Sequence, residues 1–303
     1  MPDNLSATLA NLEETRQAAL STMKKWGGIA FAAGLALAVL FYLGGNNGGA
    51  FIAAIAGVVI AGGLVFYLQN KVKSEFKQKI MPVLLAGVDP SLRYTMSGRI
   101  AEAEFDRADL FMKPDRFSGK DLVEGKIGET AVKFSLVHAE EEYTETERDS
   151  DGDTHSVTKY RTIFRGLFFV ADFNKHFNGR TKVVPHGIKF LEKLSGSHVE
   201  LEDPEFAKLF NVTSTDQVEA RYILSPSLME RFKALHARVG TVRTAFINEH
   251  MLMAIDMPYS AFEPSVMKPL TESGQVEKVL GNLKSVPGIV GDLGLNTRIW
   301  TKV

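Results

Sequence analysis

The strongest pattern in the chain is a long gap in its charge. From Gly27 to Leu68 no charged residue occurs, a run of 42 positions. The run divides at Gly44-Gly45-Asn46-Asn47-Gly48-Gly49, a turn-prone cluster. Gly27 to Gly45 supplies 19 residues and Gly48 to Leu68 supplies 21. About 20 apolar residues, each rising about 1.5 Å, cross a hydrocarbon core of about 30 Å. In lipid such a segment must satisfy its own backbone, which makes it a helix. The spacing therefore predicts a transmembrane helical hairpin over 27–68.

The flanks agree. Lys24, Lys25 and Trp26 precede the first helix, and Phe66 and Tyr67 close the second ahead of Lys71, Lys73, Lys77 and Lys79. Aromatic rings favour the interface and lysines the cytoplasmic side. Both termini are expected in the cytoplasm, with only the uncharged turn outside. Small residues recur at helical spacing, Ala30, Gly34 and Ala38 in one half and Ala53, Gly57 and Ala61 in the other. Such stripes let helix backbones approach closely, here within the hairpin or between molecules. A cleaved signal peptide fits poorly, because the apolar run begins only after Glu13 and Glu14. A soluble core hairpin would show a polar face.

Two further stripes border the hairpin. Leu5, Leu9, Leu12, Arg16, Ala19 and Met23 step by four and three, with one arginine interrupting. Val72, Phe76, Ile80 and Val83 continue a similar pattern beyond the second helix. We read 1–26 as an amphipathic helix and 69–90 as a helical stalk, with the two stripes packed on each other. The alternative lays the first segment along the membrane surface. Pro82 and Gly87-Val-Asp-Pro90 mark the end of the stalk.

Over 91–303 strands and helices are mixed. The pattern predicts a helix over 100–109, strands over 121–127 and 130–143 joined at Gly128-Glu129, a polar loop over 144–156, and a long strand over 157–173. Helix starts are expected at Asp203-Pro204, and at Ser214 and Ser227 from the capping-box spacing. Strands follow over 241–247 and 251–255, then a helix over 275–283 and a loosely held tail after Pro287. Antiparallel strands and helices without βαβ alternation predict an α+β domain.

Composition adds exclusions. With 303 residues, a formal net charge of −1 and no cysteine, the chain offers no basic footprint for nucleic acid and no disulfide or thiolate metal site. Asp149, Asp151 and Asp153 sit in a loop that invites a calcium reading, but placing Gly152 sixth puts Thr158 where a bidentate acid belongs. They are a weak metal candidate beside the simpler reading of a solvated hairpin tip. His176, four residues after Asp172, reads as a surface contact. No nucleotide-binding loop or nucleophile elbow occurs, and no cofactor is expected. Arg161, Arg165, Lys175, Arg180 and Lys182 are a candidate for anionic headgroups, with Asp172 interleaved.

The stretch Phe164-Arg-Gly-Leu-Phe-Phe-Val-Ala-Asp172-Phe173, the segment Phe206-Ala-Lys-Leu-Phe-Asn-Val212 and the run Asp216-Gln-Val-Glu-Ala-Arg-Tyr-Ile-Leu-Ser-Pro226 resemble a bacterial membrane family catalogued as domain of unknown function 3137. The resemblance covers roughly Phe164 to Phe262, and Ala220-Arg221-Tyr222 is its most specific part. It implies the bacterial inner membrane and assigns no activity. Physically the motif reads as structural, with Arg221 paired to an acid and its stem on apolar surface. Together these readings predict a membrane-anchored, cytoplasm-facing interaction or scaffold protein, held by the lipid bilayer and docked by a protein partner. A membrane-associated enzyme acting on lipid or peptide and a headgroup-binding module are the alternatives.

Overall fold

The computed structural model describes residues 3–148, 154–187, 196–271 and 274–295. It divides into two compact units, one of residues 1–84 with 263–281 and one of 85–262 with 282–303.

The first unit is helical. Helix α1 (Asp3–Thr22) runs through a π-helical turn at Met23–Gly27 into α2 (Gly28–Leu43), and α3 (Asn47–Lys79) returns. Between them Asn46 caps α3, its side chain accepting a hydrogen bond from the Gly49 amide at 2.8 Å. The α2–α3 contact is backbone on backbone at the small-residue stripes. A Cβ built on Gly34 would lie 2.5 Å from the Gly57 Cα, and one on Gly57 would lie 2.8 Å from the Gly34 Cα. The two stripes therefore pack within the hairpin. The rest of the pair is apolar and turned outward, with Leu40, Phe51, Ile52 and Val59 each at least 65% exposed. Both helices are long and apolar enough to cross a membrane.

Nearer the chain start the polarity inverts. Leu5, Leu9, Leu12, Ala19 and Met23 of α1 are buried, as are Val72 and Phe76 of α3 and Ile80 just beyond it. Ala19, Met23 and Val72 share one cluster with Val266. The expected packing of the two stripes is present, and residues 263–271 add a third layer to it. Helix α3 ends at Lys79, one residue before the short α4 (Met81–Ala86) that carries Pro82.

The second unit is an antiparallel sheet with helices, which makes the fold α+β. Its elements are β1 (Arg93–Thr95), α5 (Glu102–Ala108), β2 (Arg116–Ile127), β3 (Thr130–Arg148), β4 (Thr154–Pro185), β5 (Ser197–His198), α6 (Pro204–Leu209), β6 (Phe210–Ser214), α7 (Gln217–Ile223), α8 (Pro226–Val239) and β7 (Val242–Asp256), with α9 (Gln275–Asp292) after them. The sheet order is β1-β2-β3-β4-β6-β5, and β7 also pairs with β4. The 32-residue β4 is the spine. It takes β3 along Thr154–Ala171, β6 along Thr181–Pro185 and β7 between Gly166 and Val183. Gly166 is required opposite the end of β7, since a Cβ there would fall 2.1 Å from the Ile255 carbonyl oxygen. Val137, Phe168, Leu252 and Ala254 pack with Phe105 of α5, while Phe134, Phe169 and Phe262 stack elsewhere in the unit.

Several expected boundaries move. The polar loop over 144–156 is mostly strand, because β3 runs to Arg148 and β4 starts at Thr154. The side chains of 144–148 and 154–156 are solvent-facing on both sides, so no apolar alternation marks these strands. Strand β2 starts at Arg116, ahead of a bulge near Asp121, whose φ is 62°. The strand ending expected at Phe173 is a bulged region, with register shifts between Asp172 and Arg180, after which β4 resumes. Strands 241–247 and 251–255 are one strand, β7, interrupted only by Asn248 at φ 55°. The tail after Pro287 continues α9 to Asp292, and Val286, Ile289, Val290, Leu293 and Leu295 are buried. Glycine content masked an apolar face at helical spacing there.

Gly57→Val should weaken the α2–α3 pair by about 1–3 kcal/mol, the cost of forcing volume into a packed contact. Gly62, with nothing within 4 Å of an added Cβ, should accept alanine without loss. Thermal melting of both variants in detergent micelles checks the contrast.

Candidate functional site

Asp216 caps α7, its Oδ1 accepting from the Val218 and Glu219 amides at 2.9 Å each. The cap expected at Ser214 is displaced by two residues. Ser214 belongs to β6, and its hydroxyl instead donates to the Asp216 carbonyl at 2.8 Å. Ser225, not Ser227, caps α8, with Pro226 in the first turn. The cap at Asp203 is as expected, its Oδ1 accepting from the Glu205 and Phe206 amides.

These caps fix how the Ala220-Arg221-Tyr222 run is displayed. Ala220 is fully buried and Ile223 is buried beside it. Glu219 points back at the bulged stretch of β4 and accepts from the Asn178 amide at 2.9 Å and the Gly179 amide at 2.8 Å. Thr215 holds the next residue, its Oγ1 accepting from the Arg180 amide at 2.9 Å. Val218 and Tyr222 face outward, 78% and 47% exposed. Arg221 is also exposed. Its Nη1 donates to the Gln217 carbonyl at 3.4 Å, and among the described residues no carboxylate lies within ion-pair distance. The expected pairing with an acid is replaced by a place on the wall of a cavity of about 380 Å³, lined also by Leu201, Glu202, Asp203, Leu224, Pro226, Met229 and Glu230.

One side of this cavity is held by Lys233, which contacts Asp203 at 3.0 Å, Glu230 at 2.6 Å and Glu205 at 3.4 Å. The three carboxylates raise the Lys233 ammonium above its usual range, Glu230 foremost. The Phe206 amide, with Lys233 behind it, holds the Asp203 carboxyl below its ordinary value. The wall can thus offer apolar surface, a guanidinium and fixed carboxylates to a docked group.

A second constellation lies in the helical unit and explains the arginine in the α1 stripe. Arg16 and Glu13 are paired at 2.6 Å with both side chains buried. Arg16 Nη1 donates to the Val266 carbonyl at 3.0 Å, and Glu13 Oε2 accepts from the Leu270 amide at 2.8 Å. Alongside, Glu263 takes Lys73 at 3.1 Å and the buried Lys77 at 3.0 Å. Gln275 closes the same loop by donating to the Ser265 and Lys268 carbonyls, 3.1 Å each. Arg16 is the hook for a distant segment. Only its placement on a core stripe signalled this in sequence.

Residues 162–295 match the family described as protein of unknown function, DUF3137. Over these residues the chain is similar to that family. No curated protein matches the sequence. Among solved structures, the crystal structure of the mycobacterial trehalose monomycolate transport factor A, TtfA, is similar at a TM-score of 0.35 and 12% identity, over 67% of this chain and 88% of that one.

The matched region contains both constellations except α1 and α3, and of the remaining candidates it contains all but Arg161 and the Asp149, Asp151 and Asp153 loop. Phe173 packs a tilted ring against Phe177 and meets Phe246 edge-on, with centroids at 5.2 and 5.0 Å. Asp172 sits opposite His250 where β4 bulges. These two support the sheet and do not converge with Arg221. The basic residues do not gather on one surface. Lys182 is fully buried against Asp109, where burial pushes its ammonium down against the pull of that carboxylate. Arg180 meets Asp109 at 3.1 Å and Arg161 meets Glu141, while Arg165 is exposed and the Lys175 side chain lies outside the described atoms. His176 is exposed and 3.9 Å from Glu249, a surface contact. Asp149, Asp151 and Asp153 lie outside the described residues.

Arg16 holds the Glu13 carboxyl at about 2, below its ordinary 4.5. A depressed carboxylate stabilises the fold above the unfolded value and stops doing so as pH falls through the folded one. The cluster should therefore lose roughly 3 kcal/mol between about pH 4.5 and pH 2. Glu13→Gln should remove the charge of this partner at neutral pH and cost about 3–5 kcal/mol, because Arg16 stays buried. Amide exchange at Leu270 reads both outcomes. Glu219→Ala, which strips the Asn178 and Gly179 amides of their acceptor, should lower stability by about 1–3 kcal/mol, with faster exchange at those two amides.

Proposed function

We propose that the chain is a membrane-anchored interaction protein. In this reading α2 and the apolar part of α3 each cross the bilayer once, in a bacterial cytoplasmic membrane. Lys24, Lys25 and Trp26 on one side of the hairpin and Tyr67, Lys71 and Lys73 on the other sit at the cytoplasmic interface, and both termini are cytoplasmic. The observation that supports anchoring is the outward apolar surface of the pair around the Gly34–Gly57 contact. Water would hydrate that surface at a cost of about 25 cal/mol per Å², whereas lipid covers it.

The partner-facing surface in this reading is α7 with the adjoining cavity. Exposed Val218 and half-exposed Tyr222 flank Arg221, and aromatic and arginine side chains beside a pocket are the residue types on which binding energy concentrates. The same cavity favours the second reading, an enzyme acting on lipid or peptide, since polar groups converge on it. Lipid-headgroup binding by the strand arginines and lysines has less support, because Lys182 is buried and Arg161 and Arg180 are paired with acids.

In native membranes the full chain should stay in the pellet after carbonate washing, and a fluorescent protein fused after Val303 should fold and emit while an alkaline phosphatase fusion stays inactive. Release by carbonate, or an active phosphatase, overturns the anchored topology. Val218→Asp with Tyr222→Ala should leave melting unchanged and abolish recovery of a crosslinked stoichiometric partner. Retained recovery moves the docking surface elsewhere.

A further inference from the structure

The hairpin of β3 and β4 outgrows the sheet. Strand β2 stops pairing with β3 at Glu140, and β7 stops pairing with β4 at Gly166. Asp115 closes the corner, its carboxylate accepting from the Glu142 amide at 2.7 Å. Past that point Glu141–Arg148 and Thr154–Arg161 pair only with each other among the described residues. Their side chains are exposed or half-buried on both faces. A ribbon of two strands is marginally stable alone, and an open strand edge is a template for another strand.

The two open edges differ. On the β3 edge Glu141, Glu142, Glu145 and Glu147 crowd together. Antiparallel pairing of two β3 edges centred on Tyr143 sets Glu141 against Glu145, on Thr144 sets Glu141 against Glu147, and on Glu145 sets that residue against itself. Like charges directly opposite are destabilising. The β4 edge is made of strand formers, Thr154, Val157, Thr158, Tyr160 and Thr162. Its cations are already answered within the hairpin, Lys159 by Glu145 and Glu147 and Arg161 by Glu141.

We propose that the β4 edge is a self-association surface, to which a second copy of the chain adds antiparallel about a two-fold axis at Thr158. The register inside each hairpin, Thr144↔Thr158, Tyr143↔Lys159 and Glu141↔Arg161, then fixes every row of the four-stranded ribbon. The axial row is four threonines, a favourable cross-strand set. On that side of the pleat the next row is Glu142–Tyr160–Ser156–Thr146, and the one after it is Glu140–Thr162–Thr154–Arg148, with opposite charges at its two ends. On the other side, Lys159 faces Val157 of the second copy, and Arg161 faces its His155. No row sets two like formal charges on neighbouring strands. The added strand lies in the lane that β7 leaves at Asp256, beyond which Met257 and Pro258 share a hollow with Thr162, Ile163 and Arg165.

The chain has no cysteine, so single cysteines report this register directly. In Thr158→Cys the two copies meet at the axis with Cα atoms about 4.5–5.5 Å apart, inside the disulfide range of about 4.4–6.8 Å. Ser156→Cys and Thr144→Cys would stand about 14 Å from their copies. With the full chain in liposomes under a mild oxidant, the Thr158 variant should crosslink at least about tenfold faster than either control, since only it satisfies the bond geometry. Thr158→Lys, at an exposed position, should run as a monomer in detergent. Equal crosslinking of the three cysteines, a faster Thr144 variant, or an unchanged oligomer in the lysine variant each overturns the assignment.

Discussion

The hydrogen-bonded ladder along β4 carries the antiparallel unit. A strand this long cannot leave its buried amides and carbonyls open, and three different strands share its two sides in turn. Where β3 ends on one side β6 takes over, and β7 fills the other side. The bulge between Asp172 and Arg180 is the cost of that handover. There the ladder is replaced by side chains, with Glu219 and Thr215 reaching from the α7 region to amides that no strand satisfies. The α7 segment is therefore held by the sheet's own unfinished hydrogen bonding, which turns Val218, Arg221 and Tyr222 to the outside in a fixed arrangement.

The helical unit follows a different logic. Between α2 and α3 there is almost no side-chain volume at the Gly34–Gly57 crossing, and van der Waals contact of backbones holds the pair. Next to it, across the π-helical turn, the packing uses full-sized apolar side chains and buried charges. A buried pair such as Glu13–Arg16 is a weak source of stability, because desolvation offsets much of its attraction. The pair's remaining hydrogen-bonding capacity is met by the Val266 carbonyl and the Leu270 amide, so the returning segment completes its shell.

What could be read from sequence follows from how strong and how local each signal is. The charge gap, the small-residue stripes and the α1 and α3 stripes are periodic over many residues, and all four appear as helix and packing. The β2–β3 turn at Gly128-Glu129 and the Asp203 cap are local chemistry and were legible too. The ribbon was not, because Glu145, Glu147 and Lys159 form a strand without burying a face, leaving no alternation to detect. The end of α9 was hidden because Pro287 and three nearby glycines, Gly288, Gly291 and Gly294, outweighed the apolar spacing. At the candidate site the motif residues were visible, but Arg221 was assigned a carboxylate partner on general grounds, and only the capping by Asp216 and Ser225 decides which way it faces.

The return of residues 263–281 to α1 and α3 has a consequence for biosynthesis. Arg16 and its carbonyl partner are 250 positions apart in the chain. At about 5–20 residues per second, a ribosome needs some ten seconds to most of a minute to bridge that interval. Through that interval the apolar helices have emerged, while the charges beside them still lack the backbone groups that complete their shell. Closure of the helical unit is thus a late event, timed by the synthesis of the segment that seals it.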